Sequence, residues 1–216
     1  MELQEVIEKR GSIRKYKAGS IPDKDIKEII KAAGLAPSGK NMQNWHFVVI
    51  KDKKKMEDIA DIVVAKNNII AKDMDKADRK KADRFRGFCK NFTLFFTDAA
   101  VLTVVYSAFY APSGYDEYKL TGRDPDKDLI LLRNPGMQSL GAALENFSLK
   151  TADLGYGSCW MTSANYAAEE IAAYIKKETG FEKEGYFIAA LMSMGIPAGD
   201  QKSPSRKDPE DIYTFV

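Results

Sequence analysis

SLGAALENFSLKTADLGYGSCWM, residues Ser139–Met161, runs a helix straight into a strand. Leu140, Ala143, Leu144, Phe147, Thr151 and Leu154 recur at helical spacing, so the segment from about Pro135 to Leu154 reads as a long helix with one apolar stripe. Gly155 ends it, because glycine enters left-handed backbone without strain. "YGSCWMT" then reads as a strand. A striped helix needs a surface to cover, and a strand needs neighbours. The stretch therefore predicts helices packed on a sheet.

The flanking sequence supplies the partners. Downstream, Ala167 to Glu178 reads as a helix and "YFIAALMSMGIP" as a last strand, followed by a tail without periodicity. Upstream, "TDAAVLTVVY" is apolar on both faces, the mark of a central strand, and "NWHFVVIKD" is rich in strand formers. Three further helices are expected. The first carries Leu3, Val6 and Ile7 and stops near Gly11. The second starts at Pro22 and Asp23, buries Ile26, Ile29, Ile30 and Ala33, and ends at Pro37. The third spans Lys53 to Lys66, with Met56, Ile59, Ala60 and Val63 on one side. Residues 67–93 are polar, basic, helix-prone and weakly anchored, and "APSGYDEYKLTGRDPDKD" is full of turn formers. Long excursions of that kind serve as lids or binding loops. No repeat and no break in composition divides the chain, so residues 1–216 read as one domain with a lid or insertion within 67–135. Periodicity leaves α+β and α/β sandwiches both open.

Composition narrows the function. A net charge of +2 gives no global field for nucleic acid. Cys89 and Cys159 form neither a disulfide framework nor a metal spacing, and read as reduced core thiols. "MELQEVIEKR" has acids among its apolar residues and resembles no signal or transit peptide. No apolar run reaches the roughly 20 residues of a membrane helix. These features together predict a cytoplasmic protein that engages neither membrane nor nucleic acid.

Two stretches carry chemistry. In "RGSIRKY", Arg10, Ser12 and Arg14 alternate along extended chain and can converge on one side. Guanidinium forks match phosphate oxygens, and a hydroxyl with the backbone N–H groups near Gly11 could complete a cradle. A solvated basic turn is the plainer reading of the same residues. In "APSGKNMQNW", Ser38, Asn41 and Gln43 offer uncharged donors and acceptors suited to the edge of a planar heterocycle; the plainer reading is a turn-rich loop. No P-loop and no dinucleotide fingerprint competes. His46, the only histidine, sits in a strand pattern and reads as a packing residue, and Trp160 and Met161 read as core.

Taken in order, these motifs resemble those of the FMN-dependent nitroreductases. That family carries R-x-S-x-R-x-[FY], here "RGSIRKY". It continues with A-P-S-x-x-N-x-Q-P-W before a strand, here "APSGKNMQNWHFVVI". It then has a long apolar helix and G-x-G-S-C-W, here the opening stretch, and ends with a G-[YI]-P strand end and a basic pair, here "MGIPAG" and "PSRKDPED". The resemblance implies an α+β fold with a mostly antiparallel sheet covered by helices, in an intertwined homodimer with FMN at the subunit interface. It assigns the FMN phosphate to Arg10, Ser12 and Arg206, with Gly11 and Lys207 assisting. Arg14 would reach the ribityl chain or ring edge and favour negative charge there. Ser38, Gly39, Asn41 and Gln43 would touch flavin, commonly from the partner. Met161, Thr162 and Ser163 would pass near the reactive N5.

The implied activity is an NADH- or NADPH-dependent, FMN-bound oxidoreductase that reduces a nitroaromatic, quinone or similar small molecule by a ping-pong cycle. The flavin carries the chemistry, with no protein nucleophile and no metal. The lysines and arginines at 76–90, with Tyr115 and Tyr118, are candidates for lining the entrance. Alternatives on the same fold are an ene reductase, a dehalogenase, an oxidase, or an FMN-binding protein without turnover. The chain departs from the pattern at Asn44, where the family has proline, and in "MTSAN", which lacks the family's glycine or glutamate near N5.

Overall fold

The computed structural model describes residues 1–201 and 203–216. Five strands form one antiparallel sheet: β1 (Tyr16–Lys17), β2 (Trp45–Ile50), β3 (Val101–Ala108), β4 (Gly157–Met161) and β5 (Tyr186–Pro197). The order is β1-β5-β3-β2, with β4 also pairing with β5. β3 is therefore central, as its two apolar faces predict. Along β3, Leu102, Val104 and Tyr106 face one core and Val101 and Val105 the other, the alternation a pleated strand imposes.

Helices cover both faces. α3 (Lys53–Met74) and α8 (Ala168–Thr179) pack on the first, through Met56, Ile59, Val63, Ile171 and Ile175. α2 (Asp23–Gly34) and α7 (Pro135–Asp153) pack on the second, through Ile26, Ile29, Leu140, Leu144 and Phe147. α1 (Leu3–Lys9) lies beside α7. α7 and the strand that follows it match the expectation to within a residue.

Three regions differ from the sequence reading. α3 runs to Met74 rather than Lys66, because Asn67 and Ala71 are buried and extend its packed face. Residues 79–93 are anchored, as α4 (Arg79–Phe88) and a π-helical turn at Cys89–Thr93. The turn-rich excursion folds into two exposed short helices, α5 (Tyr115–Leu120) and α6 (Asp124–Leu131). No helix among the described residues is long and apolar enough to cross a membrane.

Candidate functional site

The arginine-rich stretch follows α1 and is pinned on both sides. Ser12 bridges Ser158 of β4 in parallel, and Ile13 N–H donates to Ser158 O at 2.9 Å. The approach requires Gly157, where a Cβ would lie 2.7 Å from Ile13 side-chain atoms. Arg14 and Lys15 N–H both donate to Gln201 Oε1 at 2.9 Å, and Gln201 Nε2 returns a bond to Lys15 O at 2.7 Å. Tyr16 donates to Ile13 O at 2.7 Å and lies 2.8 Å from Ser193 Oγ. Burial pushes its phenol far above the ordinary value, so the proton that makes these bonds stays in place.

This clamp sets the side chains over two adjoining hollows. The first, about 410 Å³, is lined by Arg10, Gly11, Ser12, Glu145, Ser148, Ser158, Trp160 and Thr162. Arg10 Nε stands 3.2 Å from Glu145 Oε1 of α7, a partly exposed pair. The C-terminal segment passes so close that a Cβ at Gly11 would meet Ser203 Oγ at 2.7 Å. The second hollow, about 420 Å³, holds Arg14, Met161, Thr162 and Ser163 beside Phe88, Phe92 and Phe95. Trp160 and Thr162 belong to both.

In the second hollow Arg14 is the one charged side chain. Its Nη1 donates to Ser12 O at 3.4 Å, and its guanidinium carbon lies 6.0 Å from the Phe95 ring centroid. Phe88 and Phe92 stack at 5.5 Å and are 50% and 56% exposed. Phe92 belongs to the π-helical turn and Phe88 immediately precedes it. Cys159 also lines this hollow, and burial pushes its thiol up against the opposing pull of Arg14 and Ser12. It is a protonated core thiol and no nucleophile at neutral pH.

The other expected residues stand apart. Ser38–Gln43 sits at the N-terminal end of α7: Gly39 N–H donates to Ser139 Oγ at 3.2 Å and Gln43 N–H to Ser38 Oγ at 2.9 Å. Glu145 and Ser148 lie six and nine residues further along α7, roughly 9–14 Å at the helical rise. One chain thus holds the arginine set and the loop set on different parts of its surface. Arg206 is exposed, with Nη1 3.3 Å from Pro204 O, and neither it nor Lys207 lines the hollows. Tyr115 and Tyr118 sit on α5, where Tyr115 meets Phe109 edge-on at 5.5 Å and Tyr118 carries the Arg123 guanidinium at 5.6 Å.

Sequence reasoning misses Glu145, Ser148, Phe88, Phe92 and Phe95. It also places Trp160 in the core, whereas the side chain is 43% exposed. Alternation along β4 was the available signal: Cys159 and Met161 point inward, so Trp160 between them points out.

Residues 7–196 match the sequence profile of the nitroreductase family. The chain belongs to that family. Among solved structures it is similar to a BluB-like flavoprotein from Clostridium difficile 630, at 55% identity and TM-score 0.97, covering 100% of this chain and 99% of that one. A nitroreductase with bound FMN from Desulfitobacterium hafniense shares the fold, at 23% identity and TM-score 0.72 over 100% of this chain and 98% of that one. Among curated proteins, a putative NADH dehydrogenase/NAD(P)H nitroreductase of Archaeoglobus fulgidus is 26% identical over 98% of this chain and 90% of its own length. Iodotyrosine deiodinase of Danio rerio is 26% identical over 96% of this chain, which spans 64% of that protein.

Proposed function

We propose that this protein is an FMN-dependent oxidoreductase. The observation that carries the reading is the pair of joined hollows along β4. The first sets the Arg10 guanidinium beside the hydroxyls of Ser12 and Ser158, a donor set suited to a phosphate, with Ser148, whose hydroxyl donates to Leu144 O at 2.8 Å, in its wall. The second is lined mostly by aromatic and other apolar side chains with a single cation, a lining suited to a planar ring. The residues fit the cofactor. The flavoprotein relative at 55% identity supports the same reading.

When bound, FMN would take a hydride from NADH or NADPH at N5 and pass two electrons to a nitroaromatic, quinone or similar acceptor in a ping-pong cycle. The chain's own part is positional and electrostatic. Arg10, Gly11 and Ser12 hold the phosphate, with Glu145 limiting the attraction. Arg14 favours negative charge at the ring edge. Met161, Thr162 and Ser163 flank the ring, and Phe88 and Phe92 offer a stacked wall to an aromatic acceptor. The loop Ser38–Gln43 reaches the ring of a second copy, so the working unit is a homodimer, with Arg206 and Lys207 supplied by the exposed C-terminal segment. That segment displays Ile212, Tyr213 and Phe215 to solvent in the single chain, apolar surface that a second copy would cover.

The iodotyrosine deiodinase relatives favour a second acceptor, an aromatic halide, whose reduction releases halide ion. The deciding experiment is the visible spectrum of purified protein before and after anaerobic NADH or NADPH. A flavin band that bleaches supports the oxidoreductase; a band that persists with both donors points to binding without turnover; no band after incubation with FMN overturns the reading. A product survey with a nitroaromatic, a quinone and an aryl iodide then separates the acceptors.

A further inference from the structure

The excursion between β3 and α7, residues 109–134, begins and ends at one buried side chain. Asn44 is 1% exposed. Its carboxamide nitrogen lies 3.1 Å from Ser107 Oγ and 3.4 Å from Ala108 O, where the excursion departs. The same nitrogen lies 3.3 Å from Gly136 O, where it returns. The backbone carbonyl of Asn44 accepts Ala108 N–H at 2.9 Å. Turning the amide over would set its oxygen against two carbonyls, so these acceptors dictate its orientation. Its Oδ1 is left buried without a partner among the described residues. A group so placed is retained where its other contacts matter.

Asn44 is also the residue after Gln43. The loop before it is strained: Lys40, Asn41 and Gln43 have φ of 53°, 52° and 46°, left-handed values that side chains rarely adopt. Such backbone persists only when its surroundings over-determine it. Besides the bonds to Ser139 of α7 and within the loop, the excursion supplies those surroundings. Lys40 Nζ donates to Ala111 O at 3.2 Å and lies 5.9 Å from the Tyr110 ring centroid. Gly39 packs so tightly on Tyr110 that a Cβ would lie 2.5 Å from its hydroxyl. Asn134, at the return, is left-handed as well, with φ 48°.

We propose that Asn44 is a positioning residue that clasps the loop Ser38–Gln43 to both ends of residues 109–134, so that loop and excursion open and close as one unit. The inference rests on the reading of the loop as a flavin contact and of the excursion as a lid, and it adds that the lid's position sets the loop's. Proline, the family residue at this place, has no side-chain donor, so the clasp belongs to this chain's departure from the pattern. By linkage, an acceptor that draws the excursion inward tightens the loop on the cofactor, and the cofactor in turn favours the closed excursion.

The test is hydrogen exchange of the full-length chain, read by mass spectrometry. Asn44→Ala should raise exchange roughly tenfold in both 38–43 and 109–134, the size expected for losing a net hydrogen bond, while β3 and β5 stay protected. Asn44→Leu keeps the volume without donors or charge and should behave like Asn44→Ala; wild-type exchange in Asn44→Leu overturns the role of the carboxamide. A rise confined to one segment, absent from both, or spread equally over β3 and β5 overturns the clasp. If Asn44→Ala does not fold, the exposed Lys40→Ala decides: a smaller rise in both segments supports the unit, and a rise in 38–43 alone overturns it. The measurement needs no flavin. Joint loosening in a protein whose wild type shows no flavin band retains the clasp and discards the flavin reading.

Discussion

Arg10→Ala is the sharpest test of the phosphate cradle, because its neighbour Glu145 makes the expected pattern specific. Removing the guanidinium costs the cofactor a charge-assisted bond, about 1.5–3 kcal/mol. It also strips Glu145 of the partner 3.2 Å away and leaves a bare carboxylate facing the phosphate. Two unit charges about 4 Å apart interact by about 1 kcal/mol in a water-like dielectric, so the repulsion adds roughly that much. Together the terms predict a loss of roughly a hundredfold or more in FMN affinity. Glu145→Gln should do the reverse, tightening FMN roughly fivefold by freeing Arg10 and removing the repulsion. The double variant should recover part of the single loss. The Arg10–Glu145 pair is partly exposed and contributes under about 1 kcal/mol to folding, so melting temperatures should barely move. Titration of flavin-free protein with FMN, followed by flavin fluorescence, reads all three variants. An Arg10→Ala affinity within about twofold of wild type, or weaker binding in Glu145→Gln, would refute the cradle.

Three further outcomes follow from the same geometry. Gly157→Ala forces a Cβ to 2.7 Å from Ile13 and should cost about 1–3 kcal/mol; calorimetry should show a lower melting temperature, and an unshifted one would mean that β4 does not need the glycine. Phe88→Ala and Phe92→Ala remove exposed rings, so stability should hold within about 1 kcal/mol and bound FMN should be retained. Their steady-state KM should rise several-fold for an aromatic acceptor and stay level for ferricyanide; a uniform change would remove the wall from acceptor binding. Burial pushes the Tyr106 phenol from 10.0 up to about 12, and its hydroxyl makes no hydrogen bond among the described residues. The native state therefore holds a proton that the unfolded chain loses above pH 10, and stability falls between pH 10 and about 12. Tyr106→Phe should match wild type at pH 7 and lose less stability above pH 10. A residual decline should remain, since the phenols of Tyr16, Tyr156, Tyr166 and Tyr174 are raised too, and an identical alkaline profile would contradict the burial.

What the sequence made legible were features governed by neighbours along the chain. The stripe of α7 announces its buried face whatever it packs on, and the double apolar face of β3 places it centrally before any pairing is known. The alternation of Arg10, Ser12 and Arg14 predicts that all three converge on one side, whereas Arg10 and Ser12 line one hollow and Arg14 another. It does not reveal that Arg14 serves a second hollow, because that hollow is completed by Phe88, Phe92 and Phe95 from a distant part of the chain. Phe88 and Phe92 were hidden for a related reason. They lie in a polar, basic stretch whose helix becomes anchored through Cys89, buried with its thiol 3.4 Å from the Tyr166 hydroxyl, a contact made across 77 residues. Sequence spacing carries no trace of such a contact. The same limit applies to the two motifs that the family resemblance assigns to one cofactor, commonly from different copies. "RGSIRKY" and "APSGKNMQNW" are each complete in local chemistry, yet α7 is a rigid rod with one set beside its middle and the other at its start. A rod does not bend to join them. The two sets stand roughly 9–14 Å apart along that helix, a separation that the order of motifs along the chain cannot encode.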